Sequence, residues 1–172
     1  VRIFGVAGSG KEALLTLVEP PTWFGEISVF DGLPRTHDAV AEGEAKVLHV
    51  PQRAVDALLE REPRWWRDIG LLLTAKLRLA FVTLEDSTLL PTSVRLARRL
   101  VWMADGYGEW LDRHRRVLKV RQEQLAMMLA VSRQTTNQLL KELEADGLVK
   151  VSYGGIELLD LERIREVAAR ET

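Results

Sequence analysis

The sequence contains no cysteine, and this absence excludes several classes of protein at once. A disulfide scaffold, a zinc site built from thiolates and a cysteine nucleophile all need that residue. The histidines, His37, His49 and His114, are scattered and form no pattern of nucleophile, base and orienting group. We therefore expect no metal centre and no catalytic site. The lack of cysteine also fits a reducing cytoplasm.

Long hydrophobic runs are also absent. The longest nearly uncharged stretch, residues 69–75, is far too short to cross a bilayer, and no signal-peptide pattern opens the chain. We therefore expect no membrane association. The first residue is Val1 rather than methionine and lies in strand-like sequence, so we interpret the chain as a fragment lacking its N-terminal part. Its 172 residues, 47% hydrophobic and 28% charged, suit one ordinary globular domain or two small ones.

Positive charge is concentrated between residues 92 and 121, although the formal net charge of the chain is only −1. Three acidic residues lie in this stretch, Asp105, Glu109 and Asp112. The basic residues there are Arg95, Arg98, Arg99, Arg113, Arg115, Arg116, Lys119 and Arg121. A local basic patch can attract phosphates even when the whole chain is nearly neutral. The alternative is a solvated surface of mixed charge.

Local patterns divide the chain into three parts, residues 1–62, 63–90 and 91–172. The first part contains β-prone runs separated by turn residues, and a short helix ends it. The runs are Val1–Val6, Ala13–Val18 and Ala45–Val50. Pro63 opens a long helix, because its fixed φ fits a first helical turn, and Pro91 ends that helix.

The long helix carries an apolar seam. Its members recur at spacings of 4, 3 and 4 residues, the repeat of a coiled coil, and they are Leu73, Leu77, Ala80 and Leu84. Other apolar residues lie outside the seam, among them Ile69, Leu72, Leu79 and Val82. A helix apolar on two faces favours two partners, its own domain and a second copy of the chain. Burial inside a single core is the alternative.

Residues 5–12 nearly fit the phosphate-binding loop of nucleotide hydrolases, G-x-x-x-x-G-K-[ST]. Glu12 stands where that loop needs a hydroxyl for magnesium, and it would place a negative charge there instead. No strand ending in aspartate follows with a parallel-sheet pattern around it. We interpret the segment as a glycine-rich turn and keep a P-loop hydrolase as a remote alternative.

Residues 122–145 predict two short helices joined by a tight turn. Gln122–Leu129 is amphipathic, Ser132 is a good N-cap for a second helix over Arg133–Ala145, and Gly147 suits its C-terminal end. This arrangement is the helix-turn-helix that reads DNA. Two short strands, Leu148–Ser152 and Ile156–Leu159, then form a hairpin, and a last helix follows. The pattern predicts a winged helix, with an all-helical protein-binding module as the alternative.

The whole chain resembles the Crp/Fnr family of bacterial transcription regulators, most specifically over Gln124–Leu148. The resemblance implies an α+β fold with a partial N-terminal β-roll, a long dimerisation helix and a C-terminal winged helix-turn-helix. It also implies a homodimer that binds a double-stranded DNA operator, with RNA polymerase as a further partner.

In that family the arginine after the N-cap serine contacts guanine, so Arg133 is the expected base-reading residue, and its guanidinium can bond O6 and N7 together. The expected DNA-binding residues are Arg121, Ser132, Arg133, Gln134, Thr135, Asn137, Gln138 and Lys141. The family commonly has glutamate and arginine where this chain has Gln134 and Gln138, so the operator should differ. It also has glycine at the turn, where Ala130 implies strain if its backbone is left-handed.

Residues 24–36 resemble the phosphate-binding cassette of cyclic-nucleotide-binding β-rolls. A short helical turn after Gly25 and the Arg35 guanidinium can bind phosphate, Thr36 can donate a hydrogen bond, and Glu26 can accept one from a ribose hydroxyl. The expected effector-binding residues are Gly25, Glu26, Ile27, Ser28, Arg35 and Thr36.

The implied effector is a cyclic nucleotide, cyclic AMP or cyclic GMP. A Thr-Ser pair touches adenine in the family's cyclic-AMP sensor, and it aligns here with Ala80 and Phe81, which offer no hydroxyl. The alternative is a regulator that binds DNA without a ligand, in which the cassette is only scaffold and Arg35 forms an internal salt bridge.

Overall fold

Three strands near the start of the computed structural model form one antiparallel sheet in the order β2-β1-β3. They are β1 at Arg2–Val6, β2 at Glu12–Leu17 and β3 at Asp38–Val40. Phe4 and Leu14 lie opposite each other on β1 and β2, and both are buried. The two predicted strands are therefore confirmed. β3 was not predicted, because its three residues are all exposed and show no apolar alternation.

The glycine-rich segment between β1 and β2 is a turn, as predicted. Gly10 donates its backbone N–H to the carbonyl of Ala7 at 2.8 Å, and Ala7 donates to the carbonyl of Lys11 at 2.9 Å. Glu12 then starts an antiparallel strand. A phosphate-binding loop needs a helix there, whose N-terminus faces the phosphates. The hairpin therefore rules out the P-loop interpretation.

The predicted strand at Ala45–Val50 is wrong, because these residues form no regular element. A strand needs a partner, and residues 45–50 pair with neither outer strand of the sheet β2-β1-β3. Leu48 is 89% exposed, although its sequence neighbours are apolar. The two short helices of this part of the chain are α1 at Ile27–Asp31, before β3, and α2 at Gln52–Arg61, after the irregular segment.

The long helix α3 spans Trp65–Leu89, and α4 begins at Thr92 after the break that Pro91 predicts. Most of the seam of α3 faces solvent in the single chain, since Leu77 is 50% and Leu84 66% exposed and Ala80 is exposed, whereas Leu73 is half-buried. Half-buried apolar residues outside the seam are Ile69, Leu72, Leu79 and Val82, whereas Phe81 is 63% exposed. The helix therefore covers one apolar face and leaves the seam open.

The remaining elements form a winged helix. They are α4 at Thr92–Ala104, β4 at Val117–Leu118, α5 at Gln122–Leu129, α6 at Arg133–Ala145, β5 at Val149–Ser152, β6 at Gly155–Leu158 and α7 at Leu161–Ala168. The strands pair antiparallel in the order β4-β6-β5. Their core includes Leu96, Leu125, Leu140, Ile156 and Ile164, each at most 1% exposed. This core fixes α5 and α6 at the angle set by their tight turn.

The structure describes residues 1–106 and 116–170, and their contacts divide inside α3 into two units, Val1–Arg78 and Leu79–Thr172. The three-part division from the sequence stays a prediction. His114 and the basic residues Arg113 and Arg115 lie outside the described part. Among the described helices none is long and apolar enough to span a membrane. Across the same residues no three His, Cys, Asp or Glu side chains come together as metal ligands.

Ala130 ends α5 in the left-handed conformation, with φ at 55° and ψ at 40°. The strain expected at this position is therefore present, since a β-carbon in this region costs about 1–2 kcal/mol. We predict that Ala130→Gly raises the free energy of unfolding by about 0.5–1 kcal/mol, after glycine's larger unfolded-state entropy is subtracted. Thermal unfolding followed by circular dichroism measures the change.

Gly147 supplies the matched reverse experiment. Its φ is +72°, and a β-carbon there would meet no atom within 4 Å, so only backbone strain opposes a side chain. Gly147→Ala should lower the free energy of unfolding by about 1 kcal/mol. If both variants shift stability in the same direction, backbone conformation does not control these two helix ends.

Candidate DNA-reading surface and effector cassette

The first turn of α6 is fixed by Ser132, whose hydroxyl oxygen accepts a hydrogen bond from the Thr135 backbone N–H at 3.0 Å. The two hydroxyls also lie 2.8 Å apart. Thr136, Leu140 and Leu143 turn inward and are buried. The Ser132 and Thr135 hydroxyls therefore take part in the cap, which orients the helix before either contacts DNA.

The opposite face of α6 presents most of the predicted DNA-binding residues to solvent. Exposed side chains there are Arg133, Gln134, Thr135, Gln138 and Lys141, whereas Asn137 is half-buried. Within the described residues no carboxylate pairs with the Arg133 guanidinium. All of its N–H groups can therefore donate, and a fork of donors matches the O6 and N7 acceptors of guanine.

Helix α5 and the turn hold α6 in place. The Gln124 side-chain oxygen accepts the Arg121 backbone N–H at 2.8 Å, which fixes the start of α5. The Arg95 guanidinium donates to the carbonyl of Leu129 at the end of the same helix. Arg121 is exposed at the helix start.

The predicted basic patch is only partly a surface for phosphates. Arg98 pairs with the buried Asp86 of α3 and donates to the Ala168 carbonyl at 2.7 Å. Arg99 is 5% exposed and lies over the Trp102 ring at 5.6 Å. Together with Arg95, these side chains support the fold. The exposed members of the patch in the described residues are Arg116, Lys119 and Arg121.

The wing places an aromatic side chain at its tip. Tyr153 is fully exposed between β5 and β6, beside the left-handed Gly154. Lys150 on β5 is also exposed. Neither residue is among the predicted DNA-binding residues, although the Tyr-Gly-Gly run predicts the position of the turn.

The cassette folds around Gly25 and Arg35. The Arg35 guanidinium donates to the Gly25 carbonyl, and Gly25 has a φ of +93°. The backbone angle favours glycine at residue 25, and a β-carbon there would also displace the Arg35 guanidinium from its present position. The internal salt bridge weighed for Arg35 is not formed, since no carboxylate of the described residues pairs with it. Its remaining N–H groups face outward and can bind an anion.

Glu26 is 2% exposed and forms an ion pair with Lys76 of α3, with 3.0 Å between Oε2 and Nζ. Lys76 also donates to the Trp23 carbonyl at 2.6 Å. Sequence reasoning missed Lys76, which stands 50 residues from its partner. A lysine between apolar neighbours on a long helix was the signal that could have found it. Glu26 is thus held in place, and its second oxygen can still accept a hydrogen bond.

The other cassette residues lie near the surface. Thr36 is exposed and shares a 2.9 Å hydrogen bond with Nδ1 of His37. Ile27 is exposed and Ser28 half-buried, both on α1. The ring of Phe30 contacts that of Trp66 at the start of α3, with 5.5 Å between centroids. Because α1 has only five residues, the charged side chain of Arg35 is the main anion-binding feature.

Comparisons with known proteins match both regions. Residues 94–167 match the Crp-like helix-turn-helix domain, and residues 1–62 match the cyclic nucleotide-binding domain. A CRP-like cAMP-activated global transcriptional regulator of Mycobacterium tuberculosis is 28% identical over 165 residues, covering 95% of this chain and 74% of that protein. The cyclic AMP receptor protein of Thermus thermophilus is 28% identical, covering 98% of this chain and 75% of that protein.

Solved structures agree with these relatives. A transcriptional regulator of the CRP/FNR family from Thermus thermophilus superposes with a TM-score of 0.75 and 26% identity, covering 99% of this chain and 84% of that chain. A second regulator of the CRP family from the same organism gives a TM-score of 0.73 and 25% identity, with the same coverage. The likeness therefore extends over both the sheet with its cassette and the winged helix.

Proposed function

The chain belongs to the Crp/Fnr family of DNA-binding transcription regulators, and from this premise we propose that it acts as a homodimer controlled by a cyclic nucleotide. It regulates by binding rather than by catalysis, in the cytoplasm, with RNA polymerase as a further partner. Helix α6 reads the operator, α3 joins the two copies, and the cassette holds the effector.

The Arg35 guanidinium carries the effector part of this proposal. It is exposed, lacks a carboxylate partner in the described residues and is oriented by the Gly25 carbonyl. A cyclic phosphate would accept hydrogen bonds from the outward side of that group. Glu26, fixed by Lys76, lies next to Gly25, and its carboxylate would accept a hydrogen bond from a ribose hydroxyl. The relatives named for cyclic AMP support a nucleotide of this class.

Selection of the nucleotide base depends on residues outside the cassette. The hydroxyl pair that touches adenine in the cyclic-AMP sensor of the family is replaced here by Ala80 and Phe81. We therefore expect phosphate and ribose recognition to be retained, with weaker selection of adenine over guanine than a Thr-Ser pair would give. Titrating cyclic AMP and cyclic GMP into the protein measures this ratio directly.

The exposed seam of α3 supports the proposal that the protein forms a homodimer. Leu77 and Leu84 expose half or more of their surface in the single chain. Burying such a side chain stabilises an interface by about 1.5–3 kcal/mol. A two-fold protein also presents two copies of α6 to two half-sites of an operator.

A ligand-independent regulator is the second candidate function. Arg35 and Glu26 already have partners within the protein, so the cassette is held without an added anion. In that case no cyclic nucleotide would change thermal stability or operator affinity. The Arg35→Ala experiment separates the two candidates.

We predict that Arg35→Ala abolishes stabilisation by the effector. A ligand at ~100 times its dissociation constant adds about 2.7 kcal/mol to the free energy of unfolding, and thermal shift detects that change. The variant should bind nonspecific DNA as the wild type does, because Arg35 lies outside the winged helix. By linkage, its operator affinity should equal that of the unliganded wild type at every nucleotide concentration.

Arg53→Ala, which removes an exposed arginine from α2, is the matched control and should keep the full response. An equal nucleotide response in Arg35→Ala would overturn the cassette assignment. A wild type that responds to neither cyclic AMP nor cyclic GMP would favour the ligand-independent regulator.

A further inference from the structure

Two glutamines, Gln134 and Gln138, lie one helical turn apart on the exposed face of α6, and their side-chain amides differ in hydrogen bonding. The Gln138 side-chain nitrogen, Nε2, donates to Oε1 of Glu142 at 3.0 Å. Within the described part of the chain, Gln134 makes no such side-chain hydrogen bond. The two residues therefore present different edges to a base, although they are chemically identical.

The direction of the Gln138 amide follows from its partner. A carboxylate can only accept hydrogen bonds, so the amide nitrogen must face Glu142 and the amide oxygen faces away from it. Turning the amide over would place its oxygen against a carboxylate oxygen, which loses the bond and opposes two acceptors. Glu142 therefore holds Gln138 with its acceptor outward.

We propose that Glu142 makes Gln138 a hydrogen-bond acceptor toward the operator, so that it selects a base carrying an exocyclic amine. In the major groove adenine offers its N6 amine and cytosine its N4 amine, whereas guanine and thymine offer only acceptors at the corresponding positions. Adenine is favoured over cytosine, because the second N–H of the Gln138 amide can also donate to adenine N7. Guanine and thymine can accept only that one N–H, and they set an acceptor against the amide oxygen. The inference rests on the proposed insertion of α6 into the groove.

An arginine at this position would give the opposite base preference, because it can only donate hydrogen bonds. The family commonly has arginine at this position, and a guanidinium only donates, which favours guanine. Glutamine alone would not reverse that preference, since a free amide can present either its oxygen or its nitrogen. The reversal needs Glu142, and Gln134 lacks an equivalent partner among the described residues.

The test is a selection from randomised DNA sites, performed on the full chain with and without cyclic AMP. Gln138→Ala identifies the base position that Gln138 reads, because preference there should disappear. At that position we expect the wild type to favour adenine, then cytosine. In Glu142→Ala the amide can turn, so discrimination against guanine and thymine should fall about tenfold.

Glu123→Ala is the charge-matched control, since it removes a carboxylate from α5. It should change affinity for all sites equally and leave base preference intact. Thermal unfolding of Glu142→Ala, expected within a few degrees of the wild type, shows that relaxed preference does not come from a damaged helix.

Three outcomes would overturn the proposal: a wild-type preference for guanine or thymine at the Gln138 position, an unchanged preference in Glu142→Ala, or equal relaxation in Glu123→Ala. Failure of the groove placement itself looks different. In that case either the wild type would select no consensus, or Arg133→Ala would keep the guanine preference of the wild type.

Discussion

Replacing Arg133 with alanine is expected to lower affinity for the specific operator by about 1–3 kcal/mol and to remove the preference for one guanine in each half-site. Arg133 follows the Ser132 cap directly and stands in the first turn of α6. Its guanidinium has no carboxylate partner among the described residues, so binding guanine breaks no existing ion pair. A randomised-site selection and a titration of the best site measure both effects.

Lys141→Ala is the matched control for charge. Lys141 is exposed on the same helix, two turns after Arg133. Loss of a phosphate contact should weaken binding to all sequences nearly equally and reduce the salt dependence by about one ion. If Arg133→Ala behaves in this uniform way and keeps the guanine preference, then Arg133 contacts the backbone and not a base.

The paired substitution Leu77→Glu with Leu84→Glu is expected to convert the protein mainly to monomer. Both leucines lie in the exposed seam of α3, where a second copy would cover them. Burying two unpaired carboxylates costs far more than the leucines contribute, so association fails. Operator affinity should fall with it, because each monomer holds only one half-site. Sedimentation velocity and operator titration report the two effects.

Leu89→Glu is the control for this pair. Leu89 is 65% exposed on α3 but lies off the heptad positions of the seam. The variant should remain dimeric with unchanged operator affinity. A double mutant that still sediments as a dimer would refute the seam, and monomers in Leu89→Glu would show that the interface is not confined to it.

Local signals allowed the helices and the hairpin of the winged helix to be predicted to within a residue or two, whereas the two-residue strand β4 was not predicted. The bounds of α5 and α6 agree with the prediction, because Ser132 caps one end of α6 and Gly147 follows the other. Glu12 likewise identified the glycine-rich segment as a turn, since its charge is incompatible with a magnesium site. In each case the information lay within a few residues of the feature.

Features that depend on distant partners were not predicted. The run Ala45–Val50 has the composition of a strand, but composition does not show whether the run pairs with a sheet. The charge of Arg98 and Arg99 suggested a phosphate-binding surface, whereas Arg98 pairs with Asp86 and Arg99 is buried. The ion pair of Lys76 with Glu26 joins residues 50 apart, and no sequence period links them.

The contacts of Arg98 bear on how such regulators exchange parts during evolution. Its guanidinium joins the last turns of α3, through Asp86, to the final carbonyls of α7, through Ala168. A recombination event that imported a foreign winged helix at Pro91 would replace Arg98 and leave the buried Asp86 without its partner. Recombination that exchanges the DNA-binding domain and keeps this ion pair therefore has to occur upstream of Asp86, within α3, and not at Pro91.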